Sequence, residues 1–138
     1  MLKLNIYIVE DNELMAAVLK HLLISLGHNV CGWATTYKKA VEELPKMNAD
    51  LVITDIILIG RETGIDLGRY IKAHLNIPFI YLSSITANDM IKEALNSLPD
   101  TYLFKPVTKP ALAQAISNFK ERNEIFIHKN LPNFYPPE

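Results

Sequence analysis

Cysteine is almost absent from this 138-residue chain: Cys31 stands alone, so no intramolecular disulfide can form. It lies in an apolar run and reads as a small buried hydrophobe rather than a reactive thiol. No apolar run approaches the roughly 18 residues that a membrane-spanning helix needs. No secretory leader pattern opens the chain, because Lys3 and Asn5 are followed by only four apolar residues before Glu10. A cytoplasmic protein with no membrane partner is expected. An excess of charge is missing too: 14 basic against 15 acidic residues leave a formal net charge of -1. A nucleic-acid surface would show a basic stripe, so no direct nucleic-acid binding is expected. The four histidines, His21, His28, His74 and His128, share no ligand spacing and read as surface or packing residues. Repeats and low-complexity segments are absent.

What is present is a regular alternation. Nearly half the chain is apolar (49%), enough for one domain to bury a core. Short β-rich runs predict strands over Leu4–Val9, Asn29–Ala34, Asp50–Thr54, the segment opened by Pro78, and Thr101–Phe104. Helical spacing predicts helices over Glu13–Leu26, Tyr37–Leu44, Ile65–Leu75, Thr86–Leu98 and Thr108–Asn123. In the first, Leu14, Val18, Leu22 and Leu26 form the stripe, with Met15, Leu19 and Leu23 beside it, Asn12 as cap and Gly27 as stop. The fourth has a Thr-x-x-Asp start and a stripe of Ile91, Ala94, Leu95 and Leu98. The last faces inward through Leu112, Ala115, Ile116 and Phe119. Strands alternating with helices imply an α/β, doubly wound, five-stranded parallel sheet flanked by five helices, and the order 2-1-3-4-5 is the common solution. Trp33, on the second strand, reads as packing.

Five residues stand where strand-like runs end: Glu10 and Asp11, Asp55, Ser83 and Lys105. In a parallel sheet those ends share one rim, where ligands bind. Three carboxylates brought together repel one another unless a cation lies between them. An oxygen-only set without His or Cys selects Mg²⁺, Mn²⁺ or Ca²⁺ over zinc, and Mg²⁺ works beside phosphate. Asp55 is the candidate nucleophile, since a carboxylate can attack phosphorus. Lys105 would set a point charge against a phosphoryl oxygen and Ser83 would donate to another. Each residue alone has an ordinary reading: Glu10 and Asp11 as first-turn acids of a helix, Asp55 as a turn cap, Ser83 and Ser84 as loop residues.

With these motifs in place the chain resembles the receiver (CheY-like) domain of two-component response regulators. The resemblance rests on I-V-E-D-N (8–12), V-I-T-D-I-I-L (52–58), G-I-D-L (64–67), I-P-F-I-Y-L-S-S (77–84) and Y-L-F-K-P (102–106). It implies a flavodoxin-like fold with Asp55 as phosphoacceptor. It further implies Glu10, Asp11, Asp55 and the backbone carbonyl of Ile57 as Mg²⁺ ligands, Ser83 as switch hydroxyl, Tyr102 as switch aromatic, and a cis peptide before Pro106. The implied partner is a sensor histidine kinase or phosphotransfer protein. The implied role is a signalling switch rather than an enzyme, with the helix 4–strand 5–helix 5 face as the protein-binding face and a homodimer as one use of it. Met90, Glu93, Lys109, Lys120 and Arg122 are its candidate surface residues. Ser83 stands where the family often has Thr, and Ser84 where it usually has Ala. The loop from Asp55 to Gly64 is longer than in the simplest members and lacks their proline. Ile57 and Ile85 replace the usual polar residues two past the acceptor and two past the hydroxyl, which predicts a slowed attack of water on the phosphorylated state.

Three other readings compete. A flavodoxin-like cofactor binder needs a phosphate-friendly first loop, but here that loop is Glu10-Asp11-Asn12-Glu13. An aspartyl phosphatase would resemble D-x-D-x-T, and Asp55-Ile56-Ile57 lacks the second acid. A degenerate receiver that only docks would lack site residues that are all present here. The receiver is expected over residues 1–124. Residues 125–138, with three prolines and the aromatics Phe126, Phe134 and Tyr135, read as a tail or linker stub. Either a free-standing receiver or one cut from a transcriptional regulator fits this length.

Overall fold

The computed structural model describes residues 3–130, with side chains described as far as Phe119. Five strands alternate with helices: β1 (Asn5–Val9), α1 (Glu13–Ser25), β2 (Asn29–Ala34), α2 (Tyr37–Glu43), β3 (Leu51–Thr54), α3 (Gly64–Tyr70), β4 (Phe79–Ser83), α4 (Asn88–Asn96), β5 (Thr101–Phe104) and α5 (Lys109–Asn130). The strands form one sheet in the order β2-β1-β3-β4-β5, and every pairing is parallel. This is the flavodoxin-like arrangement expected from the alternation. The chain divides into two compact units that meet between Val107 and Thr108. The first holds the sheet and α1 to α4; the second holds α5.

β3 and β4 are buried at every position, as their near-continuous apolar sequences require of central parallel strands. β1 is buried from Ile6 onward. On one face of the sheet Tyr7, Val9, Val52, Phe79 and Tyr81 join Ala40, Leu44, Ile65, Leu67, Ile71 and Ala94 from the helices in a single apolar cluster. The Tyr7 phenol donates to Glu43 at 2.6 Å and so ties β1 to α2. Burial first, and the Glu43 carboxylate second, push its pKa well above the usual tyrosine range. His28 is buried, and its Nδ1 accepts the Leu4 N–H at 3.1 Å, a packing role.

Each of the five helices departs from expectation in some detail. In α1 the buried residues are Ala16, Leu19 and Leu23, while Leu14 is 72% and Val18 43% exposed. Residues four apart drift about 40° around a helix of 3.6 residues per turn, so Leu14 to Leu26 cannot share one face. α2 ends at Glu43, and Pro45 lies in a following 3-10 turn, Leu44–Lys46. α3 closes in a π turn, Ile71–Leu75, ended by Asn76 in the left-handed conformation. α4 starts at Asn88 instead of Thr86; Ala87 is its N-cap and supplies no side-chain hydrogen bond, so the expected capping start does not form. Of its expected stripe only Ala94 is fully buried; Leu95 and Leu98 are exposed. In α5, Leu112, Ala115, Ile116 and Phe119 keep the expected spacing and are buried. Its helical backbone continues to Asn130, past the expected end at Asn123 and into the stretch read as a tail or linker stub. Phe134 and Tyr135 lie outside the described residues, as do the side chains of Lys120, Arg122, Phe126 and His128.

Candidate functional site

Four of the five chemistry-bearing residues stand just beyond strand ends and Ser83 is the last residue of β4; hydrogen bonds that extend the sheet ladder hold three of them in place. Glu10 N–H donates to the Ala34 carbonyl at 2.9 Å, Asp55 N–H to Val9 at 2.9 Å, and Lys105 N–H to Ser83 at 2.9 Å. Each donor is the first residue after its strand, and each acceptor is the last residue of the neighbouring strand. The parallel register thus fixes the backbone of all three relative to one another.

Their side chains meet. Glu10, Asp11 and Asp55 each offer a carboxylate oxygen within 4.8 Å of the others. The Lys105 ammonium reaches across at 2.7 Å to Glu10 Oε1 and 2.9 Å to Asp55 Oδ2. The second Glu10 oxygen accepts the Asn12 N–H at 3.0 Å, and the second Asp55 oxygen accepts the Ile56 N–H at 2.6 Å. Burial by itself lowers the Lys105 pKa, but the hydrogen bonds and charges of Glu10 and Asp55 outweigh it and raise the value. Ligands of one Mg²⁺ lie at most about 4.2 Å apart, twice a bond of about 2.1 Å. The all-oxygen trio therefore fits a hard divalent cation after a small inward adjustment.

Ser83 is buried at the end of β4, and its Oγ accepts the Ile85 N–H at 3.2 Å. Tyr102, the cross-strand partner of Tyr81, is half-buried on β5. Its hydroxyl is the one buried side-chain polar atom among the described residues without a hydrogen-bond partner. Burial raises its pKa, the neighbouring Ser83 hydroxyl works against the rise, and the Asp55 charge adds to it. The two hydroxyls feel each other yet stand outside hydrogen-bonding geometry. Ile57 is half exposed, whereas Ile85 packs against the core cluster. The Lys105–Pro106 peptide is cis. Met90 packs against the core cluster, while Glu93 is exposed and paired with Arg69 on α3 at 3.3 Å.

Two residues support the site in ways the sequence does not assign: Trp33, read as packing, and Gly64, known there only as part of a motif. Trp33 Nε1 donates to the Glu10 carbonyl at 2.7 Å and so braces the loop that bears two of the acids. Gly64 N–H donates to the Ile56 carbonyl at 2.6 Å, and a Cβ there would stand 1.8 Å from the Asp55 carbonyl oxygen. Glycine at 64 is what lets the start of α3 close against the loop that follows Asp55.

A family model for the response regulator receiver domain matches residues 6–117. The chemotaxis protein CheY of Pseudomonas aeruginosa is 31% identical over 122 residues, covering 86% of this chain and 98% of that protein. The transcriptional regulatory protein MalR of Bacillus subtilis is 26% identical over 131 residues, covering 93% of this chain but 55% of MalR. This chain thus spans little more than half of that regulator. Among solved structures, the signal receiver domain of a modulated diguanylate cyclase from Desulfovibrio desulfuricans matches with a TM-score of 0.84 and 30% identity, covering 89% of this chain and 98% of that one. With the ladder, the acidic trio and its lysine in the same places that the motifs assign, the chain belongs to the receiver-domain family of response regulators.

Proposed function

We propose that this chain is a phosphorylatable receiver of a two-component system, in which Asp55 accepts a phosphoryl group from a histidine kinase or a phosphotransfer protein. The observation that carries the reading is the meeting of three carboxylates within 4.8 Å, with one ammonium bound to two of them. An Asp55 oxygen forms the new O–P bond as the donor's N–P bond breaks, and the electron pair of that bond returns to the imidazole nitrogen. Mg²⁺, with Mn²⁺ as substitute, suits the donor set; Glu10, Asp11, Asp55 and the Ile57 carbonyl would hold it, and its charge would offset the incoming phosphoryl oxygens. Lys105 offers its ammonium to one of those oxygens as a point charge. Ser83 offers its hydroxyl proton to another, a donation compatible with the Ile85 N–H bond that its oxygen accepts.

The unpartnered Tyr102 hydroxyl represents a standing cost of about 1–3 kcal/mol. A side chain held at such a cost is readily tipped by a new charge beside it, which is how a local modification biases a two-state element. The face that would change includes α4 and β5, where Leu95, Leu98 and Phe104 are exposed. Homodimerisation through the helix 4–strand 5–helix 5 surface is one use of such a face. On the donor side, Leu14 and Val18 lie one turn apart on α1 and are exposed; they offer an apolar strip beside the acids to a helical partner. We place the end of the receiver near residue 124. Its role is that of a signalling phosphoacceptor, acting either alone or as the input half of a longer regulator.

Intact mass after incubation with Mg²⁺ and acetyl phosphate tests the reading, with Asp55→Asn alongside. The expected result is one labile phosphoryl group on the unaltered chain and none on the variant. Mg²⁺ binding without phosphoryl gain, and without a beryllofluoride complex, would refute it.

A further inference from the structure

β4 and α4 are joined by a buried hydroxyl pair that the site chemistry does not use. Tyr81 lies fully buried on β4, two residues before Ser83, and its phenol oxygen is 2.5 Å from Ser97 Oγ. Ser97 is the buried C-cap of α4, and its hydroxyl donates to the Ala94 carbonyl at 2.6 Å. With that proton committed, the Tyr81 O–H is the donor to Ser97 Oγ. Burial pushes the phenol up to about 12, against the Ser97 bond and the Arg69 charge and with Asp66 and Glu93 adding to the rise, so it remains a donor through the neutral range. α3 makes room for it: a Cβ on Gly68 would stand 2.2 Å from the Tyr81 oxygen. Glycine is a poor choice inside a helix, and this approach accounts for it.

The two ends of α4 are held very differently. At the C-terminal end, besides the hydroxyl pair, Lys72 Nζ donates to the Leu98 carbonyl at 3.3 Å, and Leu98 closes the helix with a φ of 60°. At the N-terminal end Ala87 provides no cap, and Ser84, Thr86, Ala87 and Asn88 are all exposed. That end is joined to Ser83 through residues 84–87. Ile85 and Met90 pack against the core cluster at that end, but freeing them strands no buried polar group, whereas freeing the other end would strand two buried hydroxyls. Tyr81 also meets the ring of Tyr102 edge-on, with centroids 6.1 Å apart.

We propose that the Tyr81–Ser97 pair is the pivot of α4. On phosphorylation the end of the helix next to Ser83 moves, the far end stays pinned to β4, and Tyr81 is the positioning residue that enforces the difference. The inference rests on the phosphoacceptor reading given above. It is tested by hydrogen exchange on the full chain, free and with Mg²⁺ and beryllofluoride, an unreactive phosphoryl mimic. In the unaltered chain beryllofluoride should change exchange over residues 84–91 and leave the Ser97 and Leu98 amides within about twofold. In free Tyr81→Phe those two amides should exchange about fivefold faster, in line with one lost hydrogen bond, while the Leu19 and Leu23 amides of α1 stay unchanged. On adding beryllofluoride to that variant, the response should spread to residues 94–98. Ser97→Ala should behave alike, and the double variant should show no more than either single one.

A uniform response along α4 in the unaltered chain, with beryllofluoride bound, overturns the pivot alone. Equal acceleration at Leu19 and Leu23 in Tyr81→Phe also overturns it, since that marks a general loss of stability. Absence of a bound ¹⁹F signal removes the phosphoacceptor reading, and the pivot with it.

Discussion

Replacing Lys105 with methionine keeps most of the apolar stem and deletes one charge. The ammonium sits 2.7 Å from Glu10 and 2.9 Å from Asp55, with side-chain exposures of 15% for the lysine, 4% for Glu10 and 11% for Asp55. At an effective dielectric of about 20, each contact carries about 6 kcal/mol of Coulomb attraction before solvation. Withdrawing the three charges from water cancels most of that, and deleting one member of a buried pair typically costs about 3–5 kcal/mol. The residual exposure argues for the lower end, about 3 kcal/mol. For a chain of this size each 1 kcal/mol moves the melting point by about 3 °C, so Lys105→Met should melt about 10 °C lower with divalent cations chelated. Mg²⁺ in hundredfold excess over its dissociation constant should restore about 2.7 kcal/mol, because the cation binds the folded acids. The pH dependence follows from the balance at the ammonium. Burial lowers its pKa, Glu10 and Asp55 more than reverse this, and the folded value ends above the ordinary 10.5. A raised folded pKa gives stability that is complete below the unfolded value and fades as pH climbs through the folded one. The gap between the two proteins should therefore hold constant from about pH 7 to about pH 9 and narrow only above about 10.5. Thermal unfolding followed by circular dichroism, in EDTA, measures all of this. A variant melting within about 2 °C of the parent would refute the electrostatic account.

Gly64→Ala should push the Asp55 peptide out of place; even where it folds, phosphoryl gain from acetyl phosphate should fall at least about tenfold, and an unchanged rate would show that the loop yields instead. Trp33→Phe removes the donor to the Glu10 carbonyl and should weaken Mg²⁺ binding about tenfold by calorimetry, the usual scale for a brace behind a ligand; unaltered affinity would make Trp33 mere packing. Replacing Ile57 and Ile85 together with polar residues should speed loss of the phosphoryl group, timed by mass; an equal or slower rate would sink the idea that these side chains exclude water.

The sheet order was legible because each strand run is apolar, short and bounded by turn residues, and because alternation with helical spacing leaves few parallel topologies. The meeting of Glu10, Asp11, Asp55 and Lys105 was legible for the same reason: these residues sit where those runs stop, and the ladder bonds at Glu10, Asp55 and Lys105 continue the strands by one residue. Helix faces were less legible. The four-residue spacing of Leu14 and Val18 looks like a core stripe, but the true stripe runs through Ala16, whose small side chain carries little hydrophobic signal. The start of α4 was misplaced because Thr86 and Asp89 satisfy a capping pattern that the loop geometry does not use. Trp33, Gly64 and Ser97 act through backbone atoms or one hydroxyl, and no local pattern marks such contacts before the chain is folded.

Glu10 and Lys105 are 95 positions apart, yet they form the shortest ion pair of the site. A chain still emerging from the ribosome carries its acids long before the ammonium that neutralises them. Until β5 docks beside β4, the acids lack that ammonium, and the proposed phosphoryl site is incomplete. Signalling competence would then arrive with the last strand, so that a truncated or stalled product stays silent by construction rather than by surveillance.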